Sequence, residues 1–302
     1  MFIVRHFTLI SVVVGLALLL VACGGDGAQP GGEEGEPPSN GTGGSKGEIV
    51  FGVTPWSTTI PPTTVAQLIL EEMGYTVTWR EADVGLIYSG LATGDIDVFM
   101  DAWLPILHST YLEKFGDQIE DVATSYQDAA LGWVVPSYVE EVNSIEDIND
   151  HVDLFDGKVY GIDEGAGMTR TSRELIEAYE LKVEYVASSE AAMLSQAASA
   201  IRNQEPILFL GYRPHSMFAM WDLKILEDPK GFWESSEVHV VASKGFKEKA
   251  PEAYQFLKKW SIPLEDLEQM ILEIDQNKAD PVEIARQWIE QNQDKVKEMT
   301  EP

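Results

Sequence analysis

From residue 48 onward, short apolar or alternating runs trade places with longer stretches whose apolar positions recur about every 3.6 residues. The runs at 49–53 (IVFGV), 75–81, 96–103 and 131–136 (LGWVVP) predict strands. Between them, 63–73 places Val65, Leu68, Ile69 and Met73 on one helical face, and 88–93 predicts a short helix stopped by Gly94. The rhythm then repeats. Strands are predicted at 158–162, 183–187, 207–211 and 238–242, with helices at 171–181 and 190–203 between them. From residue 251 to the end the pattern is helical. Leu267, Met270, Ile271 and Ile274 form one face there, and Val282, Ile284, Ala285 and Ile289 another.

Strands alternating with helices predict an α/β protein with mostly parallel sheets. Two such runs predict two lobes, with the crossings near 131–138 and 238–244 and the C-terminal helices returning to the first lobe. The expected limits are 48–135 with 241–302 for lobe 1, and 136–240 for lobe 2. No period short enough for a solenoid is present. Ligands of two-lobed α/β proteins lie in the cleft, at strand ends and helix N-termini.

The first 47 residues do not follow this pattern. Residues 1–23 carry Arg5 and then an apolar run from Phe7 to Ala22. The run is shorter than the roughly 20 residues of a spanning helix and suits a signal-peptide core. It ends Leu20-Val21-Ala22-Cys23-Gly24, which resembles a bacterial lipobox, so Cys23 is expected to become a lipidated N-terminus. An ordinary secretory signal with an incidental Cys, or an uncleaved anchor, are the other readings. Residues 24–47, rich in Gly, Pro, Glu and Ser, cannot bury enough surface to offset their ordering entropy and read as a flexible linker. The expected location is the cell membrane, lipid-anchored on its extracytoplasmic face.

Composition narrows the function classes. The 302-residue chain has 21 Lys and Arg against 50 Asp and Glu, a formal charge of −29. Such a chain lacks the clustered cations that nucleic-acid phosphates need, so no nucleic-acid partner is expected. One Cys excludes an intramolecular disulfide framework and a Cys-rich zinc site. His6, His108, His151, His215 and His239 form no metal-ligand pair, and HExxH, GxSxG, P-loop and GxGxxG motifs are absent. Asp95, Asp97 and Asp101 would share one strand face, but without the Gly turn of a calcium loop they read as a polar edge. No metal, cofactor or catalytic residue is expected, and an enzyme is disfavoured.

Four segments do carry chemistry, each at the end of a predicted strand: Thr54-Pro55-Trp56-Ser57, Asp101 to His108 (DAWLPILH), Gly161 to Thr169 (GIDEGAGMT) and Gly211 to His215 (GYRPH). Three of them bring an aromatic next to Pro or Gly where a cleft forms. An aromatic face attracts a cation by roughly 0.5–1 kcal/mol when exposed and about 2 when desolvated. Three faces around one quaternary ammonium, with an anionic end held as well, reach roughly micromolar binding, about −8 kcal/mol. A quaternary ammonium has no N–H to donate, so an aromatic box matches it where a carboxylate hydrogen bond does not. The run Gly165-Ala166-Gly167 opens a helix whose first N–H groups and dipole favour a carboxylate. His108 is a further donor for that end.

On these segments the chain resembles the glycine betaine-binding receptors of ABC importers, from about residue 48 to the C-terminus. AWLPILH (102–108), YGIDEGAGM (160–168), PILFLGYRPHSMF (206–218) and EDPKGFW (227–233) carry the likeness. The resemblance implies a two-lobed, periplasmic-binding-protein-like (type II) fold. It also implies three aromatics around the trimethylammonium group, with a His and two consecutive backbone N–H groups on the carboxylate. Carried over, these are Trp56, Trp103 and Tyr212, with His108, Gly167 and Met168. Tyr212 departs from the family's usual Trp, Ser216 replaces an expected aromatic, and Tyr88 stands where another Trp is common. Trp79, Trp133, Trp221, Trp233, Trp260 and Trp288 are expected in the core or its rim. The implied partners are a small betaine-type zwitterion and an ABC permease with its cytoplasmic ATPase, the receptor acting as a monomer. A choline or carnitine receptor on the same scaffold is the first rival, and a surface hydrolase, for which no nucleophile–base pair is apparent, the second.

Overall fold

A computed structural model of the chain describes residues 45–301. It contains ten strands: β1 (Glu48–Val53), β2 (Thr76–Glu81), β3 (Val98–Leu104), β4 (Ile119–Ala129), β5 (Leu131–Pro136), β6 (Lys158–Gly161), β7 (Glu184–Ala187), β8 (Phe209–Tyr212), β9 (Leu223–Ile225) and β10 (Ser236–Ser243). They form two five-stranded sheets, ordered β2-β1-β3-β10-β4 and β7-β6-β8-β5-β9. This is the two-lobed α/β arrangement that the alternating pattern predicts.

Neither sheet is all-parallel. β1 runs parallel to β2 and β3, while β10 runs antiparallel to β3 and β4. In the second sheet β6 is parallel to β7 and β8, and β5 is antiparallel to β8 and β9. The antiparallel members are the strands that border the passages between sheets, where the chain goes from β4 to β5 and later from β9 to β10. Leu131–Pro136 therefore belongs to the second sheet and Ser236–Ser243 to the first, a few residues from the limits expected at 135 and 241. Residues 45–47 join the body as well: the Lys46 amide donates to the Gly74 carbonyl at 2.9 Å.

β3 is the central strand of its sheet, and all seven of its residues (VFMDAWL) are buried, Asp101 included. Helices cover it. Ile60–Glu72 starts three residues before its apolar period, because Pro61 and Pro62 occupy a first turn whose N–H groups have no intrahelical partner. Val84–Thr93 ends at Gly94, whose left-handed φ of 80° closes the helix through a bond to Leu91. The C-terminal segment is four helices, Pro251–Lys258, Leu264–Asn277, Pro281–Gln291 and Gln293–Thr300. They return to the first sheet: Pro281–Gln291 packs on Ile60–Glu72, and the Trp260 indole donates to Ser125 of β4 at 2.8 Å. Trp133, Trp260 and Trp288 are core residues, while Trp79, Trp221 and Trp233 are half-buried. No helix among the described residues is long and apolar enough to cross a membrane. Residues 1–23, with Cys23, and most of the linker lie outside the described residues.

Asp97 ties the first lobe together. Its buried carboxylate accepts the Val50 amide at 2.7 Å and the Lys249 ammonium at 2.6 and 2.9 Å, joining β1, β3 and the turn after β10. Asp97→Ala strands the Val50 N–H and removes a charge-assisted contact, so it is expected to cost about 2–4 kcal/mol. Asp97→Asn keeps an acceptor and is expected to cost less than half of that. Urea denaturation of the two variants checks the order; equal losses would remove Asp97 from this role.

Candidate functional site

The parallel strands of each lobe end on one side of their sheet, and the loops after four of these ends meet. Trp56 follows β1 and Trp103 lies near the end of β3. Gly167 and Met168 open the helix Gly167–Ala178 after β6, and Tyr212 closes β8. Together with His108 they line one cavity, completed by Thr58, Leu107, Ile162 and Ala166. All six residues expected at a ligand site are thus brought to one place, from both sheets.

The rings form walls. Trp103 and Tyr212 meet at 86° with centroids 5.9 Å apart, and Trp56 is tilted against the His108 ring at 6.0 Å. Each wall is pinned by its polar edge. The Trp103 indole donates to Asp101 Oδ1 at 2.9 Å, the Trp56 indole to Asp163 Oδ2 at 2.9 Å, and the Tyr212 hydroxyl to Glu190. Asp101 Oδ2 also accepts from Thr58 and Thr59 at 2.8 and 2.7 Å, so one carboxylate holds both the Trp103 ring and the loop that carries Trp56. Burial pushes the Asp101 carboxyl up to about 6; its three donors oppose the rise and the charge of Glu190 adds to it. Burial also pushes Glu190 up, but donors from His215, Tyr212 and the Ser57 amide outweigh it and leave that carboxyl below its usual range.

The cavity also offers donors. His108 Nδ1 accepts the Trp103 amide at 3.1 Å and lies 3.2 Å from the Tyr88 hydroxyl, so the proton of the neutral ring sits on Nε2. Burial, and then the charge of Arg170, lower His108 to about 3, so the ring is neutral at physiological pH. The helix Gly167–Ala178 has no side-chain N-cap, and its Gly167 and Met168 amides have no hydrogen-bond partner among the described residues. A Cβ on Gly167 would lie 2.3 Å from the Leu107 carbonyl oxygen, so only Gly lets this helix end approach the DAWLPILH turn. An apolar, ring-walled pocket with convergent N–H donors suits a small molecule with an alkylated cation and an anion.

Further bonds join the two lobes around the cavity. The Tyr111 hydroxyl donates to the Gly165 carbonyl at 2.8 Å, Arg170 to the Ile106 carbonyl at 3.2 Å, and the Ser57 amide to Glu190 at 3.1 Å. Asp101, Asp163 and Glu190 were not singled out as site residues on sequence. On sequence Asp101 stands as one of three acids on a strand and as the first residue of DAWLPILH. The structure separates those three: Asp95 accepts from Thr93 at 2.7 Å, Asp97 pairs with Lys249, and Asp101 alone bonds to cavity-lining residues, Thr58 and Trp103. Among the described residues no group of three or more His, Cys, Asp or Glu is placed to hold a metal ion. Ser216 donates to Asp275 at 2.5 Å, and Tyr88 is buried behind His108, stacked on Tyr111 at 4.8 Å.

The family described as the substrate-binding domain of ABC-type glycine betaine transport systems matches residues 47–291. The glycine betaine/carnitine transport binding protein GbuC of Listeria monocytogenes is 38% identical over 147 residues. That match covers 47% of this chain and 49% of GbuC, about half the length of that relative. The glycine betaine/proline betaine-binding periplasmic protein of Escherichia coli is 25% identical, with 71% of this chain and 78% of that protein covered. Among solved structures, lactococcal OpuAC in its closed conformation with glycine betaine aligns at a TM-score of 0.79 and 32% identity, over 84% of this chain and 99% of that one. A choline-binding protein of an ABC transporter, with choline, aligns at 0.78 and 27% identity, over 83% and 91%.

The tautomer and neutrality of His108 are open to direct measurement. Long-range ¹H–¹⁵N NMR of the imidazoles is expected to show His108 as the Nε2–H form, without titration between pH 8 and about pH 5. His239, held above its usual value by Asp121 and Glu237, is expected to titrate in the same spectra. The folded His108 stays neutral where the unfolded ring, with its pKa near 6.5, takes up a proton. Its contribution to stability is therefore lost as pH falls from about 6.5 toward about 3. Titration of His108 near 6.5 would contradict the buried, backbone-bonded placement.

Proposed function

This chain belongs to the family of substrate-binding domains of ABC-type glycine betaine transport systems. From that premise we propose that it is an extracytoplasmic solute receptor that binds glycine betaine or a related quaternary-ammonium zwitterion. The observation that carries the reading is the shared cavity: three aromatic rings, and an N–H on His108 with the unpaired amides of Gly167 and Met168. The trimethylammonium group lies among Trp56, Trp103 and Tyr212, held by ring faces. The carboxylate takes the Nε2–H of His108 and the two helix amides, which have the dipole's favourable sign.

The lobes are taken as residues 45–129 with 236–301, and 131–225. Trp56, Trp103 and His108 come from the first and Gly167, Met168 and Tyr212 from the second, so a bound ligand touches both. Ligand then favours the closed state by the difference of its affinities for closed and open forms. In this reading Cys23 carries a lipid, residues 24–44 tether the body to the membrane, and the monomeric receptor hands its ligand to a permease driven by a cytoplasmic ATPase. No cofactor takes part.

A choline or carnitine receptor is the second reading, favoured by the likeness to a choline-binding protein and by the carnitine named for GbuC. Choline has no carboxylate, so it gains nothing from His108 or the helix amides. Calorimetric titration separates the two. Glycine betaine is expected to bind saturably and to be lost in Trp103→Ala. His108→Ala is expected to weaken it by about ten- to a hundredfold, the value of one donor to a charged group. Binding of choline, unchanged in His108→Ala, with none of glycine betaine, would establish the rival.

A further inference from the structure

All three rings of the cage end their polar edges on a carboxylate: Trp103 on Asp101, Trp56 on Asp163, Tyr212 on Glu190. Asp101 is wholly buried and Glu190 is 7% exposed. Buried side chains of this kind almost never carry charge unless something compensates it. Glu190 has partial compensation, from His215 at 3.6 Å and the Ser57 amide. Asp101 has only neutral donors, the hydroxyls of Thr58 and Thr59 and the Trp103 indole. Orienting a ring needs no charge, since a neutral acceptor such as Asn or Gln takes the same bond.

Resting on the reading of the cavity as a quaternary-ammonium site, we propose that Asp101, Asp163 and Glu190 are its charge-selecting residues, distinguishing a permanent cation from an uncharged group of the same shape. Two effects act together. A carboxylate accepting an indole N–H or phenol O–H pushes electron density into the ring and makes its face more attractive to a cation. The negative charges also sit just behind the rings, and those of the buried Asp101 and Glu190 attract a cation with little screening. A bound cation supplies the missing compensation. Burial, with the charge of Glu190 adding to it, raises the Asp101 carboxyl, as expected of an anion without a cationic partner. The ligand's own carboxylate has separate N–H donors in the same cavity, His108, Gly167 and Met168. One of the three ring contacts crosses the cleft, Trp56 to Asp163, and the Ser57 amide also reaches Glu190 across it, so the field around the cation is complete only when the lobes close.

The test compares glycine betaine with 3,3-dimethylbutanoate, its isostere with an uncharged quaternary carbon in place of the nitrogen, which keeps the three methyl groups and the carboxylate. Dissociation constants for both are measured on the full chain and on Glu190→Gln and Asp163→Asn, which retain an acceptor for the ring. Asp163 is only half-buried, so its variant is expected to fold even if the buried Glu190 variant does not. Each substitution is expected to narrow the preference for glycine betaine by about tenfold, or 1.4 kcal/mol, through weaker betaine binding with dimethylbutanoate unchanged. Equal losses for the two ligands would reduce the carboxylates to ring positioners and overturn the proposal, as would an unchanged ratio. Absence of betaine binding by the unsubstituted chain would overturn the functional reading, and this proposal with it.

Discussion

The site is organised around a carboxylate that cannot reach water. Asp101 lies on the central strand of the first sheet, covered on both faces, and its two oxygens must be satisfied from within. Thr58 and Thr59 supply two donors and Trp103 a third. Meeting that demand draws the loop after β1 onto the end of β3, which sets Trp56 and Trp103 into the same cavity. A buried carboxylate left with one donor fewer is costly, so the cage walls and the strand core are stabilised together.

The second lobe completes what the first prepares. Its contribution is two strand ends: the turn before Gly167, whose bare Cα admits the Leu107 carbonyl, and Tyr212 on β8. The cleft is closed by contacts of modest individual worth, among them the Tyr111 hydroxyl on Gly165, Arg170 on Ile106 and the half-exposed Arg213–Glu268 pair at 2.9 Å. Exposed pairs of this last kind contribute roughly 0–1 kcal/mol. On the proposed function, a ligand that touches both lobes adds to these contacts and favours the closed form.

Much of this was legible in the chain. β1, β2, β3, β5 and β6 show as apolar or alternating runs because their strands pack on covering helices, and the C-terminal helices show as clear faces. β4 does not, since it is an edge strand whose half-exposed residues mix polar and apolar types and whose register against β10 shifts three times, breaking the period of two. β9 is too short to carry a pattern. The mostly parallel sheets expected from alternation become mixed because β5 and β10 receive the chain from the other lobe without a helix between. The aromatic and helix-end residues were legible from their position after strand ends. Their carboxylate partners were less so. Trp56 and Asp163 are 107 residues apart and Ser57 and Glu190 are 133 apart, and no local pattern records a pairing across that distance. Asp101 sits two residues from Trp103, but only its bonds to Thr58, Thr59 and Trp103 separate it from Asp95 and Asp97, and sequence alone shows all three as alike.

The most direct measurement is a crystal structure of the protein grown with glycine betaine. The account places the three methyl carbons within about 4 Å of the Trp56, Trp103 and Tyr212 ring faces, at ordinary van der Waals contact. It places the carboxylate within hydrogen-bond distance of His108 Nε2 and the Gly167 and Met168 amides. A betaine bound in the reverse sense, with its carboxylate among the rings, or seated outside this cavity, would contradict it.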